Sequence, residues 1–162
     1  MAVHATRAIG VGTFYFVRHA KAGSRSHWTD DDRKRPLSKK GMRQADDLVG
    51  LFAHFPISDI MSSPYLRCMQ TVEPLARARR LEVKQTPVLA EGQGLRAYDF
   101  FQDDSIDHAV LCTHGDIVWE LVEDLVRRKV LPSFQEQFEK AGTWVVEVDG
   151  GSPVRARYIP AP

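Results

Sequence analysis

The chain has 162 residues, of which 43% are hydrophobic and 27% are charged, and its formal net charge at pH 7 is +1. This composition predicts one globular domain over residues 1–162, with no electrostatic attraction to nucleic acid and no apolar stretch near the ~20 residues that span a membrane. The two cysteines, Cys68 and Cys112, are too few for a disulfide framework, which favours a cytoplasmic protein.

The N-terminal residues imitate a secretory signal, because Arg7 precedes an apolar run and the small residues Ala20 and Ala22 follow it. Glycines interrupt this run at two positions, and cleavage would remove the polar residues that end the first strand. We therefore predict that residues 1–11 form a loose tail and that the first strand spans residues 13–18.

The first strand contains four consecutive bulky apolar residues, Phe-Tyr-Phe-Val, which is typical of a strand buried on both faces. It ends on Arg18 and His19. Ligands bind at the carboxyl ends of strands in open parallel sheets, a guanidinium can hold a phosphate with two hydrogen bonds, and an imidazole can act as a nucleophile. The alternative is that both residues only mark the turn into a polar loop.

The polar loop at residues 23–36 is longer than most connections, and long loops in compact domains are often lids. Three aspartates at residues 30–32 are followed by three cations at residues 33–35. This mixture of charges predicts a solvated surface. A metal site is not expected there, because no histidine accompanies the aspartates at a ligand spacing.

The following segments alternate between helical and strand patterns, and this order predicts an α/β sandwich with a largely parallel sheet. We expect Ser38, Ser63 and Asp116 to cap three helices, the first two ending near residues 55 and 80. Apolar runs predict strands at residues 57–61, 81–86 and 108–113, and a final hairpin of strands at 143–148 and 154–159.

Three more polar residues fall at the same predicted edge of the sheet. Arg67 lies near the start of the second helix, where a cation gains nothing from the helix dipole unless both face a bound anion. Glu91 follows the third strand and His114 ends the fourth. The alternative for Arg67 and Glu91 is a solvated surface. Two strand-terminal histidines, His19 and His114, are harder to explain as core residues than either one alone.

Phosphoryl transfer is the chemistry that uses this set of side chains. Arg18, Arg67 and His114 can hold three phosphoryl oxygens, because such catalysis is mostly positioning and stabilisation of negative charge. Neutral His19 can attack phosphorus and form a phosphohistidine that water hydrolyses. Glu91 can donate a proton to the leaving group.

Other phosphate-binding and metal machinery is absent from the sequence, which has no Gly-x-x-x-x-Gly-Lys-Ser/Thr loop and no His-Glu-x-x-His. A cysteine phosphatase needs an arginine six residues after its nucleophile. At that position, Cys68 has Pro74 and Cys112 has Val118, so neither cysteine fits. Both cysteines are therefore predicted to be small buried hydrophobes. Cys112 and His114 together give only two ligands, too few for zinc.

Four segments of the chain resemble the histidine phosphatase (phosphoglycerate mutase-like) superfamily. The short length and the Arg-Pro-Leu-Ser segment are most similar to its small branch of SixA-like protein-phosphohistidine phosphatases. The resemblance covers nearly the whole chain, from about residue 13 to 159. Its segments are Val17-Arg18-His19-Ala20, Arg35-Pro36-Leu37-Ser38 with Gly41, Ser62 to Thr71, and Thr113-His114-Gly115-Asp116.

The resemblance implies a three-layer α/β/α sandwich with a mostly parallel sheet, and no metal or cofactor. It implies His19 as the nucleophile and Arg18, Arg67 and His114 as the phosphate-binding residues. One departure is Ala20, which stands where the family usually has a glycine.

The remaining candidates of the site are less firmly placed by the resemblance. The proton donor is poorly fixed in this branch, so three aspartates compete with Glu91. Lys21 and Ser24, just beyond the first motif, are added as substrate-binding candidates, although such loop residues are more often solvated. The competing acids are Asp99, Asp103 and Asp104.

These features predict a metal-independent phosphatase acting on phosphohistidine in a partner protein. The chain is too short for the insertions of phosphoglycerate mutases, so hydrolysis is expected. An imidazole is a better leaving group than an alkoxide, so an uncertain Glu91 matters less. The alternatives are hydrolysis of small phosphomonoesters, phospho-sugars or nucleotides, and an inactive module that binds phosphate or phosphoprotein. Retention of His19, His114 and both arginines argues against the inactive module.

Overall fold

A six-stranded sheet and three α-helices form the framework of the computed structural model, which describes residues 10–162. Most of the predicted N-terminal tail lies outside the described residues, but Gly10 is buried and its N–H donates to Oδ1 of Asp104 at 3.0 Å. The strands are β1 (Gly12–Arg18), β2 (Asp59–Ser62), β3 (Val83–Gln85), β4 (Ala109–Thr113), β5 (Thr143–Asp149) and β6 (Ser152–Ile159), and the helices are α1 (Lys39–Leu51), α2 (Leu66–Arg79) and α3 (Gly115–Arg127).

The sheet has the strand order β3-β2-β4-β1-β5-β6. Strands β1 to β4 are parallel to one another, while β5 runs antiparallel to β1 and forms an antiparallel hairpin with β6. Arg18 pairs with Thr113, so β1 and β4 end at the same level. The carboxyl ends of four strands therefore meet at one edge, as the sequence predicts.

Two apolar clusters cover the two faces of the sheet. Tyr15 and Val17 of β1 point into the cluster that α1 and α2 cover, whereas Phe14 and Phe16 point into the cluster that α3 and a short 3₁₀ helix cover. Successive side chains of a strand alternate between faces, so a strand that is apolar at every position is buried by helices on both sides. The expectation of a three-layer α/β/α sandwich is confirmed.

The first helix cap is correct. The Ser38 hydroxyl accepts a hydrogen bond from the Gly41 N–H at 3.1 Å, which begins α1. Gly41 also lets α1 approach the preceding loop, because a Cβ at this position would lie 1.9 Å from the Lys21 carbonyl oxygen. Only a glycine fits this close backbone approach.

The other two predicted caps are wrong. Tyr65, not Ser63, precedes the first residue of α2, and the Ser63 hydroxyl lies 2.8 Å from Nε2 of His114. His114, not Asp116, precedes α3, and the Asp116 carboxylate accepts a hydrogen bond from the Gly92 N–H at 2.8 Å. In both cases the side chain that the local sequence assigns to a helix cap forms a tertiary hydrogen bond instead. No helix in the described part of the chain is long and apolar enough to cross a membrane.

Candidate active site

His19 follows the last residue of β1 and is only 6% exposed. Its backbone N–H donates to the Thr113 carbonyl oxygen at 3.0 Å, which fixes its position against β4. Nδ1 lies 2.8 Å from the Ala20 carbonyl oxygen. Since a carbonyl oxygen only accepts, Nδ1 carries the hydrogen and Nε2 keeps its lone pair. Burial, reinforced by the neighbouring Arg67, lowers the pKa of His19 to about 3, so the imidazole is neutral at pH 7.

His114 directly follows β4, and its ring centroid lies 5.5 Å from that of His19. The Ser63 hydroxyl accepts a hydrogen bond from the Tyr65 N–H at 3.3 Å and is therefore free to donate its own hydrogen to Nε2 of His114. When the hydroxyl donates, the imidazole hydrogen stands on Nδ1, which lies 3.5 Å from the acceptor Oε1 of Glu91. Burial lowers the pKa of His114 to about 3, so the ring is a neutral donor.

Arg67 is completely buried at the start of α2. Its Nη2 donates to Oε1 of Glu91 at 2.9 Å and to Oδ2 of Asp32 at 3.1 Å, while Nη1 donates to the Asp32 carbonyl oxygen at 2.8 Å. The guanidinium carbon also lies 4.9 Å from the centre of the Tyr65 ring. These contacts hold the planar group in one orientation, as recognition of an anion requires.

Arg18 is held from two sides at the end of β1. Its Nη1 donates to the Phe138 carbonyl oxygen at 2.8 Å. Its guanidinium lies against Gly115, where a Cβ would come within 2.8 Å of Cζ. A side chain at position 115 would displace Arg18, which explains why the first residue of α3 is a glycine.

Glu91 is the predicted acid that the structure places beside His114, with Oε1 3.5 Å from Nδ1. Its half-buried carboxylate contacts Arg67 and lies 3.5 Å from Arg25.

The three competing aspartates lie elsewhere. Asp99 is exposed on a 3₁₀ helix, and Asp103 accepts hydrogen bonds from Ser105. Asp104 binds the backbone before β1, at the opposite edge of the sheet.

An open cleft of about 1300 Å³ contains the nucleophile candidate and the groups around it. Lys21 and Ser24, the two added substrate-binding candidates, both line this cleft. The Ser24 hydroxyl is hydrogen-bonded to that of Ser26 at 2.8 Å. Lys140 also lines the cleft, and burial together with the positive charge of Arg18 lowers its pKa.

Sequence reasoning missed three residues of this site. The sequence pattern assigns Ser63 to a helix cap, although its place inside the segment Ser62 to Thr71 is a signal of a role in the site. The expectation of a solvated surface at residues 30–35 misses Asp32, whose side chain is 40% exposed but contacts both Arg67 and Arg35. Lys140 stands in no motif, and only the chain path between α3 and β5 brings it to the cleft.

Several buried nitrogens of the site have no hydrogen-bond partner among the described residues. They are Nε of Arg18, Nε of Arg67 and Nδ1 of His114. A bound oxyanion would give these nitrogens acceptors, since buried donors are otherwise costly to leave unpaired. Within residues 10–162, no group of three or more histidine, cysteine, aspartate or glutamate side chains is arranged to hold a metal ion.

Comparison with known proteins gives a family and a set of relatives. Residues 14–97 match the histidine phosphatase superfamily (branch 1). The chain is 33% identical over 163 residues to the 8-oxo-(d)GTP phosphatase of Mycolicibacterium smegmatis, a match that covers 96% of this chain and 50% of the relative. It also matches 19% of the length of the transcription factor tau 55 kDa subunit of Saccharomyces cerevisiae. The chain thus spans half the length, or less, of these curated relatives.

Solved structures share the fold. The protein histidine phosphatase SixA complexed with tungstate superposes with a TM-score of 0.74 at 18% identity, covering 91% of this chain and 94% of that one. SixA from Agrobacterium tumefaciens superposes with a TM-score of 0.69 at 21% identity, covering 84% of this chain and 91% of that one. At such identities the similarity establishes the fold, which agrees with the phosphoglycerate mutase-like architecture expected from the sequence.

Proposed function

The chain belongs to the histidine phosphatase superfamily, and from this premise we propose that it is a phosphatase whose nucleophile is Nε2 of His19. One observation carries the proposal: the hydrogen bond between Nδ1 of His19 and the Ala20 carbonyl oxygen leaves a lone pair on Nε2 of a neutral ring. A nucleophile of this kind needs no separate base, because its reactive nitrogen carries no proton at neutral pH.

The proposed reaction has two steps. Nε2 of His19 attacks phosphorus, and the bond from phosphorus to the leaving oxygen or nitrogen breaks as the leaving group takes a proton from the Glu91 carboxyl. Water then attacks phosphorus, gives its proton to Glu91, and breaks the phosphorus–nitrogen bond to return neutral His19 and inorganic phosphate. Arg18, Arg67 and His114 donate to the phosphoryl oxygens in both steps.

The first candidate substrate is phosphohistidine in a partner protein. The open cleft supports it, because a side chain on a protein surface needs an accessible site. The shared fold with SixA adds support by analogy alone.

The second candidate is a nucleoside phosphate, in which phosphorus is bonded to oxygen. It is favoured by the 33% identity to an 8-oxo-(d)GTP phosphatase over 96% of this chain. The position of Glu91 in the cleft, with Oε1 3.5 Å from Nδ1 of His114, also favours it, since a placed acid is most useful for an alkoxide leaving group.

The test measures phosphate release in EDTA by the wild type and by His19→Ala. The substrates are a phosphohistidine protein, nucleoside mono-, di- and triphosphates, and a sugar phosphate. We expect turnover that survives EDTA and falls by roughly 10³-fold or more in the variant. The preferred substrate decides between the two candidates.

Two outcomes would contradict the proposal. Equal activity of the wild type and His19→Ala would exclude the nucleophile. Binding of phosphate without turnover of any substrate would instead support the inactive binding module that the sequence left as an alternative.

A further inference from the structure

Three aromatic rings form a partly exposed cluster on one side of the cleft. The ring centroid of Trp119 lies 4.9 Å from that of Phe134 and 4.9 Å from that of Phe138, and the two phenylalanine rings are 6.1 Å apart. Trp119 is 44% exposed and Phe134 is 39% exposed. We refer to these three residues as the aromatic wall. Contiguous exposed apolar surface of this kind marks a binding site more often than isolated apolar residues do.

The aromatic wall is physically joined to the proposed phosphate site. Trp119 and Phe138 line the same cleft as His19. The Phe138 carbonyl oxygen accepts the hydrogen bond from Nη1 of Arg18, at 2.8 Å. Trp119 lies on α3 four residues after Gly115, which packs against the Arg18 guanidinium, and four residues advance a helix by about 6 Å. The wall therefore begins one helical turn from an arginine that would hold phosphate.

A ligand that fills both places must carry a phosphate and a flat apolar group with a short spacer between them. We propose that the aromatic wall stacks against the base of a nucleoside phosphate whose terminal phosphoryl group lies at His19. This inference rests on the proposed phosphatase function, and it selects the nucleoside phosphate from the two candidate substrates. Every nucleobase offers a π face, so Trp119 can stack on it without a base-specific hydrogen bond.

The charges and the size of the cleft favour this occupant over a protein. Trp119 and Phe138 of the aromatic wall line the cleft together with five cations and two carboxylates, so the anionic chain of a nucleotide meets an excess of positive charge. The cations are Arg18, Lys21, Arg25, Arg35 and Lys140, and the carboxylates are Glu91 and Asp116. A stable protein interface needs about 800 Å² from each partner, far more than three side chains provide. A phosphohistidine also carries its phosphate directly on its own ring, which leaves no second planar group to reach the wall.

The test compares guanosine 5′-monophosphate with ribose 5-phosphate, which is the same sugar phosphate without the base. Binding is measured by calorimetry in the His19→Ala background, so that turnover does not consume the ligand. We expect the nucleotide to bind roughly tenfold more tightly than the sugar phosphate. Replacement of Trp119 by alanine is expected to reduce this affinity ratio to near one, while Trp119→Phe keeps most of it.

A matched control is Val154→Ala, which truncates an exposed apolar side chain on β6, away from the cleft. It should leave the affinity ratio at the starting value. Thermal unfolding of each variant checks that the fold is intact. Phe134→Ala tests the support that this ring gives to Trp119, and we expect it to reduce the ratio by less than Trp119→Ala does.

Each outcome separates this inference from the proposed function. Equal affinities for the two ligands, failure of both to bind, or a ratio that survives Trp119→Ala would overturn the role of the aromatic wall. If turnover depends on His19 but the two ligands bind with equal affinity, the base-stacking role of the aromatic wall is wrong and the phosphatase function stands. If the nucleotide binds about tenfold more tightly through Trp119 but the wild type turns over no substrate, the base-stacking role is supported and the phosphatase function is wrong.

Discussion

The carboxyl edge of the sheet carries buried arginines and histidines, whereas the opposite edge carries aspartates. At the carboxyl edge, nitrogens of Arg18, Arg67 and His114 are buried without a hydrogen-bond partner among the described residues. At the opposite edge, Asp107 accepts from the Thr13 N–H at 2.8 Å, and Asp59 lies 3.3 Å from Nζ of Lys84. Oδ2 of Asp59 and Nδ1 of His108 are also buried there without a partner among the described residues, but neither belongs to a guanidinium.

The difference separates residues that build a site from residues that hold the chain together. An aspartate that accepts hydrogen bonds from backbone N–H groups stabilises the fold and needs no bound ligand to do so. A buried guanidinium nitrogen without an acceptor is costly unless an anion is present during the working cycle. Substitutions at the two edges should therefore alter different quantities: turnover at the carboxyl edge and unfolding free energy at the other.

The largest effect is expected at Arg67. Replacement by alanine removes a fully buried donor, and kcat/KM should fall by roughly 100- to 1000-fold because transition-state charge loses a hydrogen-bond partner. Arg77→Ala, which truncates an exposed arginine on the same helix, is the control and should keep wild-type turnover. If kcat/KM of Arg67→Ala falls by less than a few-fold, Arg67 does not stabilise the transition state.

Glu91→Gln keeps the shape of the side chain and removes its proton donor. We expect turnover of phosphate esters to fall by roughly 100-fold, because an alkoxide needs the proton, whereas hydrolysis of phosphohistidine should change little. Asp99→Asn, an exposed acid of the same connection, serves as the control. If Glu91→Gln leaves ester turnover intact, another group supplies the proton.

The pH dependence of stability distinguishes the buried histidines from exposed ones. Their folded pKa is lowered to about 3, so between the ordinary value of 6.5 and 3 the unfolded chain binds protons that the folded chain does not. The free energy of unfolding should therefore fall as the pH decreases through this window. Denaturant melts from pH 7 to 5 measure the slope, which should be shallower in His19→Asn. An identical slope in that variant would contradict the neutral, buried state of His19.

The smallest effect on turnover is expected at the opposite edge. Asp107→Ala leaves the Thr13 N–H without its partner, so the free energy of unfolding should fall by about 1–3 kcal/mol while kcat/KM stays at the wild-type value. Asp46→Ala, at an exposed position of α1, provides the stability control. If Asp107→Ala lowers kcat/KM without changing the free energy of unfolding, the claim that the two edges control different quantities is wrong.

The strand ends could be predicted because residues 14–17 of β1 and 109–112 of β4 are continuous apolar runs, and Arg18 and His114 follow these runs at the edge of the sheet. That pattern is local, and parallel strands necessarily bring their carboxyl ends together. The capping role assigned to Ser63 was wrong for a non-local reason: its hydroxyl binds His114, which lies 51 positions later in the chain.

The contacts of Asp32 and Lys140 could not be predicted for the same reason. Asp32 reaches Arg67 because the long loop folds back over the start of α2, and the charge pattern around Asp32 indicates only a solvated surface. Lys140 reaches the cleft because the segment before β5 passes Arg18. Such contacts depend on the path of irregular segments, for which no periodic pattern exists.

The most direct test of the account is to trap the covalent intermediate. The wild type is mixed with a radiolabelled phosphate substrate, quenched in alkali during turnover, digested, and its labelled peptide identified. We predict an alkali-stable, acid-labile phosphoryl group on His19 that is absent from the His19→Ala variant. A label on another residue, or a variant that turns over as fast as the wild type, would contradict the assignment of His19 as the nucleophile.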